Sequence, residues 1–377
     1  MARSLFAVLA VLGCIAASPA QQRPDARAVV QRHADHCERL HRELEGRATA
    51  LQKAVQALVE RPAPATLQAA RTAWAEARLV YGQVEVLRFH GGPIDAVEPL
   101  LNAWPVDEVY IDYVVGRRER GLVSDRTRLP VLAGAALEHR NGLGGETNIS
   151  VGWHAIEFLL WGQDLDAAGP GRRPHTDFVD GADPDAARRR QYLAVVTDLL
   201  VGHVRDLTRQ WAPGADNFRR RYEANPDDAI RRMLTGAVIL TAFELSGERL
   251  AVPFETRDQE QEHSCFSDTT CADLVANQIG IEAIFRGGLG EPSHHDLLLL
   301  VRSRDAELAD HLAACLDAAT RALRAIPAPF DQAFLGADDA PGRKAIAAAI
   351  AALDQQGEAI ALTGRLFGFE LPLQPGR

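Results

Sequence analysis

The segment that most constrains the fold is NISVGWHAIEFLLWG, residues 148–162, because it is apolar on nearly every side of a helix. A helix with no polar face has no side to offer to water, so it is normally buried all round. Asn148 or Ser150 is suited to cap its start, and Gly162 is suited to end it. We therefore expect a short helix in the interior of a larger protein.

Two polar residues, His154 and Glu157, interrupt this segment. They are three positions apart, so they lie on one face of the helix about a turn from each other. A buried carboxylate and a buried imidazole are costly unless each finds a partner. Two interpretations stay open: a self-satisfied His–Glu pair, or one edge of a metal or ligand site that a facing helix completes.

The same residues resemble a known family signature. Gly152-x-His154-x-x-Glu157 is similar to the GxHxxE motif of the imelysin family. That family groups periplasmic or lipid-anchored bacterial proteins linked to iron uptake, alongside members classed as metallopeptidases. Further blocks follow the family's order and extend the resemblance over most of the chain: residues 81–89 with 92–95, residues 159–165 with 169–174, and residues 262–268.

The resemblance implies a pocket around the histidine, between two bundle-like helical halves. It favours Glu85 as a third metal ligand beside His154 and Glu157. Glu85 and Arg88 are three apart, so an ordinary surface ion pair is the alternative. The other residues that the resemblance implies at this pocket are Gly152, Arg88, Asp164, Arg173, Glu244, Glu262 and Ser264.

The rest of the chain has the periodicity of helices, with no convincing strand alternation. Ala and Leu dominate and aromatic residues make up only 6%, which also favours helices. We expect an all-α protein of two bundle-like halves, residues 25–215 and 216–377, divided after the break at Pro213. The predicted helices cover residues 25–61, 66–89, 130–141, 185–211, 227–249, 271–285, 295–325 and 343–367.

Two of these helices carry polar residues that need an explanation. On the first, His33, Cys37 and His41 are four apart and form one stripe. A metal site is one interpretation, but a structural zinc site wants four fixed ligands, so we expect a solvated face. On the helix over 227–249, Glu244 and Arg249 either form a buried pair or face the His154 helix across the two halves.

The start of the chain predicts export. Residues 1–20 have the basic start, the apolar run and the small residues before Ala20 that are typical of a secretory signal peptide. We therefore expect a periplasmic protein. Residues 11–14 also resemble a lipobox, which would leave Cys14 acylated and the protein lipid-anchored. No later stretch has the ~18 uninterrupted apolar residues that a membrane span needs.

The remaining cysteines are even in number, which in an exported chain suggests disulfides. Cys265 and Cys271 are six apart in a loop rich in Ser, Asp and Thr, and we expect them to form a local bridge. Cys37 and Cys315 would then join the two ends of the mature chain.

Composition and motifs exclude some classes of function and favour others. A net charge of −10 argues against nucleic-acid binding, because a phosphate backbone needs a basic surface. The His-Glu-x-x-His motif of zinc peptidases is absent, and Phe158 stands where its inverted form needs a second histidine. Histidine with carboxylates is instead a suitable ligand set for iron, zinc or manganese.

We therefore expect an exported protein that binds a metal ion or a metal-bearing small ligand in bacterial iron uptake, without catalysis. Membrane-associated uptake components are its expected partners. Two alternatives stay open: a metallopeptidase that uses the GxHxxE motif, and a metal-free pocket between the halves that holds a protein partner.

Overall fold

The computed structural model describes residues 25–117, 121–166, 169–288 and 295–372, and over these ranges its regular structure is helical, with no β-strand. The predicted all-α fold is confirmed. The predicted signal peptide and Cys14 lie outside the described residues. Within the same ranges, no helix has both the length and the apolar character to cross a membrane.

Nine of the helices in the described ranges are labelled in chain order. They are α1 (Ala26–Glu60), α2 (Pro64–Val84), α3 (Trp153–Trp161), α4 (Ala186–Trp211), α5 (Pro226–Ile239), α6 (Thr270–Arg286), α7 (Ala306–Arg324), α8 (Phe330–Leu335) and α9 (Pro341–Leu366). Shorter α-helices cover Glu98–Leu101, Glu108–Ile111, Gly134–Glu138, Phe218–Ala224, Val252–Thr256 and Leu297–Arg302. Single 3₁₀ turns cover Glu85–Leu87, His175–Phe178 and Gln259–Gln261.

The long helices pack in a chain of neighbours that crosses the predicted domain boundary. Helix α1 packs against α2 and α4, while α7, α9 and the turns after α5 pack together in the second half of the sequence. Helix α6 packs against both α2 and α7 and so connects the two groups. One continuous hydrophobic core results, and the boundary near residue 215 stays a prediction.

Two predicted helices differ from the structure in an informative way. The helix over 295–325 is two helices, because Asp305 accepts a hydrogen bond from the Leu308 amide (2.9 Å) and caps a new start. The helix over 227–249 continues past α5 in wider π-type turns, Leu240–Ala251. In such turns residues five apart align.

The predicted solvated face on α1 is wrong. His33 and His41 are buried, at 4% and 0% exposure. The His33 ring hydrogen-bonds the Tyr222 hydroxyl through Nδ1 (2.8 Å), and the His41 ring stacks at 5.9 Å from Trp211. Helical spacing puts these side chains on one face of α1. Only the packing of α4 and of the short helix Phe218–Ala224 against α1 shows that this face is covered.

Burial of His41 predicts a loss of stability in mild acid. Burial lowers the pKa of His41 to about 4. Below its ordinary pKa of about 6.5 the unfolded chain takes up a proton that the folded chain refuses. His41 therefore favours unfolding by about 2 kcal/mol more at pH 5 than at pH 7.

Urea unfolding at pH 7 and pH 5 measures this effect. We expect His41→Phe, which keeps an aromatic ring beside Trp211, to lose less stability on acidification than the wild type. His139→Phe, at an exposed position, is the matched control and should keep the wild-type pH dependence. Equal pH dependence in the wild type and His41→Phe would contradict the prediction.

Candidate functional site

The glycine of the GxHxxE motif begins α3. Gly152 has φ +90°, and a Cβ there would lie 2.5 Å from the Leu101 carbonyl oxygen, so only glycine fits. The predicted start caps, Asn148 and Ser150, are wrong, since α3 has no side-chain cap, whereas Gly162 ends the helix as predicted. The Ser150 hydroxyl instead donates to the Leu137 carbonyl (2.7 Å). The close crossing at Gly152 fixes where α3 begins and therefore where His154 lies.

His154 and Glu157 are buried and bonded to each other. The distance from His154 Nδ1 to Glu157 Oε2 is 2.8 Å. The other oxygen of Glu157 accepts two hydrogen bonds from Ser267, from its amide (2.9 Å) and its hydroxyl (2.7 Å). The self-paired interpretation thus holds for one side of the imidazole. Its Nε2 atom is buried and has no hydrogen-bond partner among the described residues.

A second histidine lies beside the His154 ring. The rings of His154 and His263 lie 4.9 Å apart between centroids, and Trp104 packs on the far side of His263 at 5.0 Å. Neither ring nitrogen of His263 has a hydrogen-bond partner within the described part of the chain. The sequence offered one signal, since His263 lies in the resembling block 262–268, but the prediction selected only its neighbours Glu262 and Ser264.

The protonation states suit metal ligation. Burial, assisted by the charge of Arg78, holds the pKa of His154 well below its ordinary value. Burial and the charge of Arg249 do the same for His263. Burial raises the pKa of Glu157 to about 7, against the hydrogen bonds from Ser267. Both imidazoles are therefore neutral at pH 7, which is the form that binds metal ions.

Glu85, the predicted third ligand, lies in a buried ion-pair network. Its Oε2 accepts hydrogen bonds from Arg249 (2.6 Å) and Arg88 (3.2 Å), and its Oε1 accepts one from Asn277 (3.1 Å). Although burial favours the neutral acid, the charge and hydrogen bonds of Arg249 hold the pKa of Glu85 at about 2. The pair with Arg88 exists but is buried, not on the surface. Glu85 as a metal ligand stays a prediction, and its oxygens are already occupied.

Two more predicted pocket residues belong to this network. Glu244 accepts a hydrogen bond from Arg249 (3.1 Å), which confirms the buried pair and follows from the π-type spacing of five residues. Ser264 donates to Asp273 Oδ2 (2.6 Å), and Arg78 pairs with the same oxygen (3.1 Å). The network therefore borders the two histidines, with the Asp273 carboxylate 3.6 Å from His263 Nδ1.

Comparison with known proteins identifies the family. The family model described as imelysin matches residues 38–360. The chain belongs to the imelysin family. Iron-regulated protein A of Synechococcus elongatus is 24% identical over 295 residues, which cover 75% of this chain and 71% of that protein.

A solved structure shares the imelysin fold. It is a Parabacteroides distasonis chain described as an iron-regulated protein A precursor. It matches with a TM-score of 0.71 at 18% identity, covering 94% of this chain and 97% of that one. At this identity the likeness shows the fold.

The remaining predicted pocket residues of this imelysin-family protein lie elsewhere. Asp164 and Arg173 line a separate surface cleft of about 300 Å³ that borders Gly162 at the end of α3. Arg173 is committed to two carboxylates, with Asp112 at 2.8 Å and Asp177 at 3.2 Å. The single pocket implied by the resemblance is thus divided between two places.

The predicted Cys265–Cys271 disulfide is absent from the structure. Cys265, Cys271, Cys37 and Cys315 are free thiols in the described ranges. Cys271 lies in the first turn of α6 and its thiol points toward the Pro327 carbonyl oxygen (3.8 Å), while Cys265 lies in the loop that reaches α3. Short sequence separation did not bring the two sulfurs together because the α6 start turns one of them away.

Proposed function

We propose that this imelysin-family protein is an exported iron-acquisition component that binds a metal ion, free or in a small complex, at His154 and His263, without catalysis. The observation that carries the proposal is the buried His154 Nε2, which has no hydrogen-bond partner among the described residues, beside the His263 ring, whose two nitrogens also have none. Two neutral imidazoles suit iron or zinc.

Glu157 supports the proposal as a positioning group. A metal-binding histidine commonly gives its second ring nitrogen to a carboxylate, which fixes its tautomer and orientation. Glu157 holds His154 Nδ1 in this way and is itself held by Ser267. In this arrangement His154 ligates directly, while Glu157, first predicted as a ligand, acts through it.

Arginines near the histidines help to keep the imidazoles in the neutral form that binds metal. Arg78 and Arg249 both act on His154 and His263, lowering the two pKa values. Each arginine is itself paired with a carboxylate, Arg78 with Asp273 and Arg249 with Glu85. The names of the relatives support an iron-related role, and the predicted signal peptide is consistent with a periplasmic location beside membrane-associated uptake components.

One observation favours a second candidate. The His154–Glu157 hydrogen bond satisfies one ring nitrogen and one carboxylate oxygen within α3 itself, as a metal-free pocket for a protein partner would require. A metallopeptidase has less support, because both oxygens of Glu157 are engaged and are poorly placed to act as a general base.

Elemental analysis of the purified protein separates these candidates. We expect about one equivalent of iron or zinc per chain after loading and desalting, retained by neutral imidazoles at pH 7. Dialysis at pH 4 in chelator followed by refolding at pH 7 gives the metal-free control. A wild-type protein that loads no iron or zinc, and a melting temperature unchanged by either metal, would favour the metal-free pocket.

A further inference from the structure

The loop over residues 262–268 sends its side chains in two directions. His263 and Ser267 contact α3, as described above. Glu262 and Asp268 instead meet Asp331 of α8, and one carboxylate oxygen from each of the three lies within 4.8 Å of the others. One short loop therefore borders two clusters of possible metal ligands.

The second cluster, Glu262, Asp268 and Asp331, is largely buried, and most of its carboxylate oxygens have no hydrogen-bond partner among the described residues, although Asp331 Oδ1 accepts one from the Gln332 amide (2.6 Å). Glu262 is 2% exposed and Asp331 is 0% exposed. Both oxygens of Glu262, both of Asp268, and Oδ2 of Asp331 accept no hydrogen bond from any residue that the structure describes. Buried carboxylates are ordinarily paired or bound to metal, so two carboxylates more than nine-tenths buried and aimed at one point indicate a missing positive charge.

The charges around the cluster agree with this conclusion. Burial, followed by the charges of Asp164 and Asp331, raises the pKa of Asp268 to about 7. Burial and the charge of Asp268 raise the pKa of Glu262 well above its ordinary value, although the nearby Thr270 hydroxyl opposes the shift. No basic side chain within the described ranges forms an ion pair with any of the three. A bound cation would relieve this repulsion directly.

We propose that Glu262, Asp268 and Asp331 bind a hard divalent cation at a site separate from His154 and His263. Two oxygens on one calcium ion, each at 2.3–2.6 Å, lie up to about 5 Å apart, so the observed spacing fits a shared ion. Carboxylate and water ligands suit calcium, magnesium or manganese, whereas imidazoles suit iron and zinc. The inference goes beyond the proposed function, since it assigns a different ion and different ligands.

Binding there would anchor the loop that forms the histidine site. Asp331 lies on α8, whereas His263 and Ser267 sit on the loop itself. A cation held by all three carboxylates would tie the loop to α8 and hold His263 opposite His154. The cluster is therefore a positioning site for the loop in addition to a binding site.

Manganese binding tests the proposal. Mn²⁺ is titrated into metal-free full-length protein and free Mn²⁺ is followed by its EPR signal, with Ca²⁺ as competitor. We expect the wild type to bind one Mn²⁺ that Ca²⁺ displaces, and Asp331→Asn to bind it at least about 10-fold more weakly. Asp339→Asn, at an exposed acid on the segment after α8, is the matched control and should bind like the wild type.

Further variants separate this site from the histidine site. His154→Ala should keep the Mn²⁺ affinity of the wild type even when it has lost iron or zinc. Because Asp331→Asn removes a crowded charge, the melting temperature of this variant in EDTA should equal or exceed that of the wild type. Addition of Ca²⁺ should raise the melting temperature of the wild type and leave that of the variant unchanged. If Asp331→Asn fails to fold, Asp268→Asn, at a half-buried position, carries the same test.

Any of three results would overturn the proposal. One is wild-type protein that binds no Mn²⁺ or Ca²⁺, and another is an affinity unchanged by the carboxylate variants. Loss of Mn²⁺ in His154→Ala with full binding in Asp331→Asn would also reject the second site, while leaving the proposed function standing.

Discussion

His154→Ala is expected to abolish tight binding of iron or zinc, weakening it at least about 100-fold. The substitution removes the buried Nε2 atom beside the His263 ring and leaves Glu157 without the imidazole that it orients. Competition with a chromogenic chelator at pH 7 measures the affinity. His139→Ala, at an exposed position, should bind metal like the wild type.

Glu157→Gln tests the same proposal through the residue that orients the His154 ring. A glutamine amide in place of Oε2 would donate to His154 Nδ1 and move the ring proton to Nε2, the atom proposed to bind the metal. We expect a loss of about 10–100-fold in affinity with the fold intact, as for other residues that orient a metal-binding histidine. Unchanged affinity in both His154→Ala and Glu157→Gln would reject the proposed function.

Arg249→Met is expected to destabilise the fold by about 3–5 kcal/mol. Arg249 is 0% exposed and donates to Glu85 (2.6 Å) and Glu244 (3.1 Å). Methionine fills similar space but leaves both carboxylates without their main partner. Burying an unpaired charge costs far more than losing a surface pair, so the free energy of unfolding in urea should fall steeply.

Two variants test whether this loss is electrostatic. Arg205→Met removes an arginine from an exposed pair with Glu45 (3.3 Å) and should change stability by no more than about 0.5 kcal/mol. Adding Glu85→Gln to Arg249→Met removes one stranded charge and should recover part of the loss. A double variant less stable than Arg249→Met would indicate that packing, and not charge, is what Arg249 supplies.

The resemblance to the imelysin family identified more segments of the site than helical spacing alone did. It marked the loop 262–268, which supplies Ser267 to Glu157 and His263 to His154. It also gathered Asp164 and Arg173 into the same pocket, where the structure instead gives them a separate cleft. Block order along a chain shows that segments belong to one fold, but it does not show which side chains of those segments meet.

What the sequence by itself determined is local. Helical periodicity and capping residues define the helices within a few positions, and the apolar run around His154 shows that this imidazole is buried beside Glu157. Only the tertiary structure decided which side chains these residues contact. Arg249 is 164 residues from the Glu85 that it neutralises. Asp331 lies on α8, far along the chain from the loop that carries Glu262 and Asp268. Spacing fixes which residues share a face, whereas the packing of distant helices fixes what that face meets.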